Sequence, residues 1–282
     1  MRRWKERIVS ILSIATSQSP LPVLFVLIAS NDSTSTEAIE EAASACRIAL
    51  CLTNPYIDRE SLISTKGTRV AGTCEWIRNN SIYKSWLRGD AQLLWISGGP
   101  GKGKTMLSIF LTEELERVLQ NTKDMLLFYF CSSEDGKRNT AVAVLRGLVY
   151  QIITKRPDLI KQHVLPYFET PETVKDTLSS LETLWIIFRK LLQDPNLGTT
   201  FCVLDGLDEC DEGSLRLLVA KVVDFFSSQN LQPTDRALRL VIISREVPGL
   251  HRCAHIKLDP DNDERVASDI ERFIFVRVEE LS

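Results

Sequence analysis

The sequence predicts an α/β fold: a three-layer sandwich with a mostly parallel central sheet, plus a small, mainly helical N-terminal extension. Three observations predict it. Short apolar runs of strand length alternate with helix-length segments, the pattern of a parallel sheet covered on both faces. One run, Leu93-Leu94-Trp95-Ile96, leads into a glycine-rich loop that opens a helix. A second, Phe201-Cys202-Val203-Leu204, ends in an aspartate. The composition agrees. A chain of 282 residues with 44% hydrophobic and 25% charged residues is an ordinary globular one, large enough to bury a core without disulfides or metals.

Taken in order, residues 1–30 read as a helix and then a proline-bounded strand, and 31–36 as a polar turn. Residues 37–52 have a helical apolar period through Ile39, Ala42, Ala43, Cys46 and Ala49. Residues 54–72, charged and punctuated by glycine, read as a connector, and 73–86 as one helix with Trp76, Ile77, Tyr83 and Trp86 packing inward. Strands are predicted over 92–97, 125–131, 199–204, 239–244 and, briefly, 255–258. Helices are predicted over 105–119, 140–154, 178–192 and 214–226. A proline-flanked helical stretch falls near 158–168, and residues 263–281 close the chain as an amphipathic helix. Trp76, Trp86 and Trp95 are all expected in the core.

Charge and cysteine usage exclude several classes. Lys and Arg total 34 against 37 Asp and Glu, a net charge of −3, so a global electrostatic grip on nucleic acid is not expected. The 7 cysteines are odd in number and form no C-x-x-C pair, which argues for reduced, buried thiols in a cytoplasmic setting. Three histidines supply no transition-metal spacing. The uncharged stretch after Arg2, Arg3, Lys5 and Arg7 is broken by Pro20 and Pro22 and leaves too short an apolar run to span a membrane.

The strongest local signal is Gly98-Gly99-Pro100-Gly101-Lys102-Gly103-Lys104-Thr105, a complete G-x-x-x-x-G-K-[ST] phosphate loop between a strand and a helix. Glycines permit the positive φ that turns amide groups toward phosphate oxygens, and the helix N-terminus adds its dipole. Lys104 supplies a charge for the β- and γ-phosphates, and Thr105 a hydroxyl for Mg²⁺. Lys102, outside the required pattern, reads as a solvated charge at the loop tip.

A phosphate loop needs a carboxylate at the end of a neighbouring strand to hold the metal. Asp205 fills that role by position, followed by Gly206-Leu207-Asp208-Glu209-Cys210. Gly206 stands where many ATPases place a catalytic glutamate, so any base must reach in from the next turn: Asp208 or Glu209 is a candidate to orient an attacking water, the alternative for either being a salt bridge or a helix cap. A third apolar run, Leu240-Val241-Ile242-Ile243, ends in Ser244 and Arg245. It places Arg245 at the carboxyl edge of the sheet, in reach of a γ-phosphate.

Together these elements resemble the NACHT family of signal-transduction NTPases (the STAND class), and in particular the fungal heterokaryon-incompatibility branch and the nephrocystin-type N-terminal NTPase region. The phrases carrying the likeness are Gly72-Thr73-Cys74-Glu75-Trp76-Ile77, the strand and loop from Leu94 to Leu107, Phe128-Tyr129-Phe130-Cys131, Val144-Leu145-Arg146-Gly147-Leu148, and Val203-Leu204-Asp205-Gly206-Leu207-Asp208-Glu209. The resemblance implies a switch that binds ATP or GTP with Mg²⁺, self-associates or engages protein partners when loaded, and resets by slow hydrolysis. It places Gly72 and Thr73 near the base. It divides the chain into an extension (1–54), an entry connector and helix (55–90), a P-loop NTPase domain (91–260) and a C-terminal helix (261–282). Family members continue into a helical lid, a winged helix and a repeat array; here the lid and repeats are expected to be absent. A non-hydrolysing interaction module is the competing reading. A P-loop kinase is disfavoured by the Asp-Gly-Leu-Asp-Glu phrase.

Overall fold

The computed structural model describes residues 36–227 and 238–280. The helix and strand expected within residues 1–30 lie outside them. Five strands, β1 (Leu93–Gly98), β2 (Met125–Phe130), β3 (Thr200–Asp205), β4 (Leu238–Ser244) and β5 (Ala254–Leu258), form one sheet. Their order is β2-β3-β4-β1-β5, with every neighbouring pair parallel. The helices are α1 (Thr36–Leu50), α2 (Pro55–Lys66), α3 (Ser81–Arg88), α4 (Lys104–Leu119), α5 (Ala141–Lys155), α6 (Ile160–His163), α7 (Pro171–Ser179), α8 (Leu181–Leu192), α9 (Glu212–Ser227) and α10 (Glu264–Glu280).

The period of two along each strand builds two cores. In β1, Leu93 and Trp95 enter one apolar layer with α1, α5, α8 and α9, while Leu94 and Ile96 enter the other with α3 and α4. A sheet with no solvent face needs apolar residues at every position, which is why these strands read as unbroken runs. Trp86 and Trp95 are fully buried, and the Trp86 indole donates to the Leu240 carbonyl (3.1 Å).

Four expectations are corrected. Residues 54–72 are not a plain connector, because α2 occupies Pro55–Lys66. Its Asn54 cap accepts from the Tyr56 amide, Pro55 sits in its first turn and Gly67 ends it at φ +87°. Its apolar period is weak because its buried contact with β2 is made by an arginine. The Arg59 guanidinium lies 4.9 Å over the Phe128 ring and pairs with Glu116 at 3.0 Å. The single helix expected over 73–86 is two pieces, a 3₁₀ turn (Glu75–Asn79) and α3. Asn80 breaks it by accepting from the Ile82 and Tyr83 amides. Ser180 divides 178–192 in the same way, capping α8 through the Thr183 amide. Residues 158–168 form only α6 between two proline-led 3₁₀ turns.

The outer edge at β2 is closed by a side chain. Gln151 of α5 is 2% exposed. Its Oε1 accepts from the Phe128 amide (3.2 Å) and its Nε2 donates to the Phe128 carbonyl (2.9 Å). Lys155 caps the Leu126 carbonyl nearby (2.5 Å). Replacing Gln151 with leucine leaves both Phe128 main-chain groups buried and unpaired. The expected loss is about 2–4 kcal/mol of unfolding free energy, measured by urea denaturation; a loss below about 0.5 kcal/mol would show that the edge does not need the amide.

Candidate functional site

The glycine-rich loop expected to cradle phosphate leaves β1 at the carboxyl edge of the sheet. Gly98 passes so close to β5 that an added Cβ would stand 3.0 Å from the Leu258 Cβ. Gly101 and Gly103 adopt φ of +72° and +76°, open only to residues without a Cβ penalty. Gly103 caps α4, whose first residue is Lys104. The Lys104 ammonium folds back over the loop and donates to the Gly98 and Gly99 carbonyls, both at 2.8 Å. Burial lowers its pKa, with Asp208 pulling the other way. Lys102 is half-buried rather than fully solvated.

Asp205 ends β3 at 4% exposure. Its Oδ1 accepts from Ser108 Oγ at 2.6 Å, and the Thr105 hydroxyl lies close enough to favour its charged form. The loop helix and the acidic strand are thus joined directly, although β4 lies between β1 and β3. Burial raises Asp205 to about 6, against the opposing pull of the two hydroxyls. Thr105 and Asp205 together offer adjacent hard oxygen donors, a set that fits Mg²⁺.

The remaining acids are already engaged. Asp208 Oδ1 accepts from the Arg245 amide (2.9 Å), and its Oδ2 lies 3.3 Å from Arg245 Nε. Glu209 Oε2 accepts from the Ser133 amide (3.0 Å). Gly206 has φ +67°, and an added Cβ would meet the Cys131 carbonyl oxygen at 3.2 Å. A glutamate there would be strained, which gives its absence a backbone cause. Arg245 is set by its neighbours: the Trp95 indole donates to Ser244 Oγ (3.0 Å), which donates to the Arg245 carbonyl (2.7 Å).

The charged groups of this region line one cleft of about 510 Å³. Pro100 to Thr105, Asp205, Asp208, Glu209 and Arg245 form its floor and one side, and Gly98 and Gly99 sit behind as the carbonyl partners of Lys104. Of the other wall only Thr73 was expected, near the base; the part supplied by the closing helix was not. This wall comprises Thr73, Cys74 and Trp76 together with Val266, Asp269, Ile270 and Phe273 of α10. Trp76 is a half-buried wall residue rather than core. Asp269 Oδ2 accepts both its indole N–H (3.0 Å) and the amide of Cys74 (2.6 Å), and the Arg265 guanidinium lies 5.2 Å over its ring. Cys74 is the one non-glycine residue with positive φ, at 67°, among the described residues, and the Asp269 carboxylate holds its amide. Asp269 was detectable in principle as an acid interrupting the apolar face Val266-Ile270-Phe273. Ser108 was detectable as a hydroxyl one turn beyond Lys104. Ser133 had no sequence signal.

The raised Asp205 value has a defined sign. In the folded chain this carboxyl keeps its proton up to about pH 6, against 3.8 for an ordinary aspartate. Its contribution to stability is therefore fullest below pH ~4 and is lost as pH rises through about 6. Asp205→Asn escapes that loss. The variant is expected to melt about 5 °C above the parent at pH 7.5, the gap closing towards pH 4, in nucleotide-free thermal scans. A gap independent of pH would remove the charge argument.

Among the described residues no helix is long and apolar enough to cross a membrane. A family model described as Nephrocystin 3, N-terminal, matches residues 72–245, the span from the Thr73 wall to Arg245. The vegetative incompatibility protein HET-E-1 of Podospora anserina is 31% identical over 247 residues. That alignment takes in 84% of this chain and 17% of the relative, so the chain spans about a sixth of that protein's length.

Proposed function

The chain belongs to the nephrocystin 3 N-terminal family, and from that premise we propose that it binds a nucleoside triphosphate, ATP or GTP, with Mg²⁺ and hydrolyses it slowly as a signalling switch. The observation that carries this reading is the Ser108–Asp205 bond, which unites the lysine-bearing helix with the acidic strand in one cleft. The loop amides and Lys104 bind and orient the polyphosphate. Thr105 and Asp205 would hold the cation, which would supply neutralisation of the polyphosphate charge. Arg245, fixed through Asp208 and Ser244, offers a guanidinium to the same end of the cleft. Glu209 orients water only after leaving Ser133. Slow turnover follows from that restraint and from Gly206, because among the described residues Asp208 and Glu209, the acids beside Asp205, are both engaged. By likeness to the incompatibility relative, the loaded state would promote self-association or partner binding in a fungal incompatibility-type response.

The same engaged acids favour a second reading, a nucleotide-binding interaction module without hydrolysis. Paired measurements separate the two. Thermal stabilisation by Mg²⁺-nucleotide together with phosphate release supports the switch, and stabilisation alone supports the module. Lys104→Ala is expected to weaken nucleotide binding by roughly 2–5 kcal/mol, about thirtyfold to several thousandfold in Kd, read by titration. Binding within threefold of the parent would place the nucleotide elsewhere. Glu209→Gln should leave binding intact while slowing any phosphate release.

A further inference from the structure

Two cysteines meet behind the acidic turn. Cys131 follows β2 directly, and Cys210 follows the 3₁₀ turn Leu207–Glu209 that leaves β3. The Cys210 thiol donates to the Cys131 sulfur at 3.6 Å, and both residues are 7% exposed. The two segments are laced together on either side of this contact. The Cys131 amide donates to the Asp205 carbonyl (2.9 Å), and the Asp211 amide donates to the Asn139 carbonyl (2.9 Å). Glu209, next to Cys210, accepts from Ser133, two residues beyond Cys131. Closing the sulfur gap to the disulfide length of about 2.05 Å asks for about 1.5 Å of side-chain travel. None of the other five cysteines is paired with a thiol in this way; Cys51 and Cys253 donate to the Thr53 and Leu250 carbonyls instead.

We propose that Cys131 and Cys210 form an oxidation site, a dithiol that a small peroxide converts to an intramolecular disulfide and that thereby fixes the turn carrying Glu209. Burial selects the oxidant: hydrogen peroxide is little larger than water, whereas a peptide disulfide cannot reach either sulfur. One of the two sulfurs takes one peroxide oxygen as the O–O bond breaks, giving a sulfenic acid and one water. The other sulfur then attacks it; the S–S bond forms, the S–O bond breaks and a second water leaves. In sum two thiols and one peroxide give one disulfide and two waters, the sulfurs being oxidised and the peroxide reduced. The bridge ties the residue beside Glu209 to the segment bearing Ser133, so the Glu209–Ser133 contact is held. The phosphate loop, on the other side of Asp205, is not part of the bridge.

The test treats the chain with graded hydrogen peroxide, without nucleotide, and alkylates the remaining thiols. The expected result is an intact mass lower by about 2 Da before alkylation, and, after it, a linked peptide pair containing Cys131 and Cys210 with neither alkylated. Amide exchange across residues 206–211 should slow several-fold and recover with dithiothreitol. In Cys131→Ser the linked pair should be absent and Cys210 should be trapped as a sulfenic acid by dimedone. Full alkylation of both cysteines at doses that oxidise Cys51 or Cys253, a bridge between any other pair, or unchanged exchange in bridged protein would overturn the proposal. None of these readouts depends on nucleotide binding or turnover, so they stand apart from the switch reading.

Discussion

The hydroxyl–carboxylate contact between Ser108 and Asp205 is the constraint on which the rest of the cleft depends. β1 and β3 are not neighbours; β4 separates them, so no ladder of main-chain bonds relates the phosphate loop to the acid. The connection is made above the sheet edge, where α4 brings Ser108 one turn past Lys104 onto Asp205 Oδ1. A buried carboxylate with no partner would be expelled or would stay neutral. Two hydroxyls and the nearby Lys104 oppose the burial, leaving Asp205 at about 6, within reach of ionisation near neutral pH.

Around this point the cleft divides into two walls of different character. The strand-end wall is charged and internally satisfied, with Asp208 engaged by Arg245 and Glu209 by Ser133. The opposite wall joins residues 73–76 to α10. Asp269 pins a left-handed Cys74 and the Trp76 indole, and Arg277 reaches the Thr68 carbonyl at 2.8 Å. The segment facing the phosphate loop is therefore held by a helix almost two hundred residues away in sequence. Displacing α10 would release the carbonyl and amide partners of that segment together.

This division explains what was legible in the sequence. The glycine-rich turn after β1, the acid at the end of β3 and all five strands could be read because their signals are local: glycine conformations, a continuous apolar run, an acid at its end. α2 was missed because its inward contact is the cationic Arg59 on Phe128, so its apolar period is weak. The breaks at Asn80 and Ser180 are caps hidden inside helical periods, where a polar residue also fits a solvent-facing position. Asp269, Ser108 and Ser133 act through contacts spanning 195, 97 and 76 positions, and no single segment encodes such a pairing.

The Gln151 amide on the rim of β2 has a consequence for how copies of the chain meet. By occupying both the donor and the acceptor of Phe128, with Lys155 on Leu126, it leaves the middle of that rim nothing to offer an extended peptide from another molecule. The sheet cannot be lengthened there by strand addition, the route by which edge strands seed aggregates. An assembly formed by this domain must then be built from contacts other than that edge, so that association stays a matter of surface fit rather than of runaway templating.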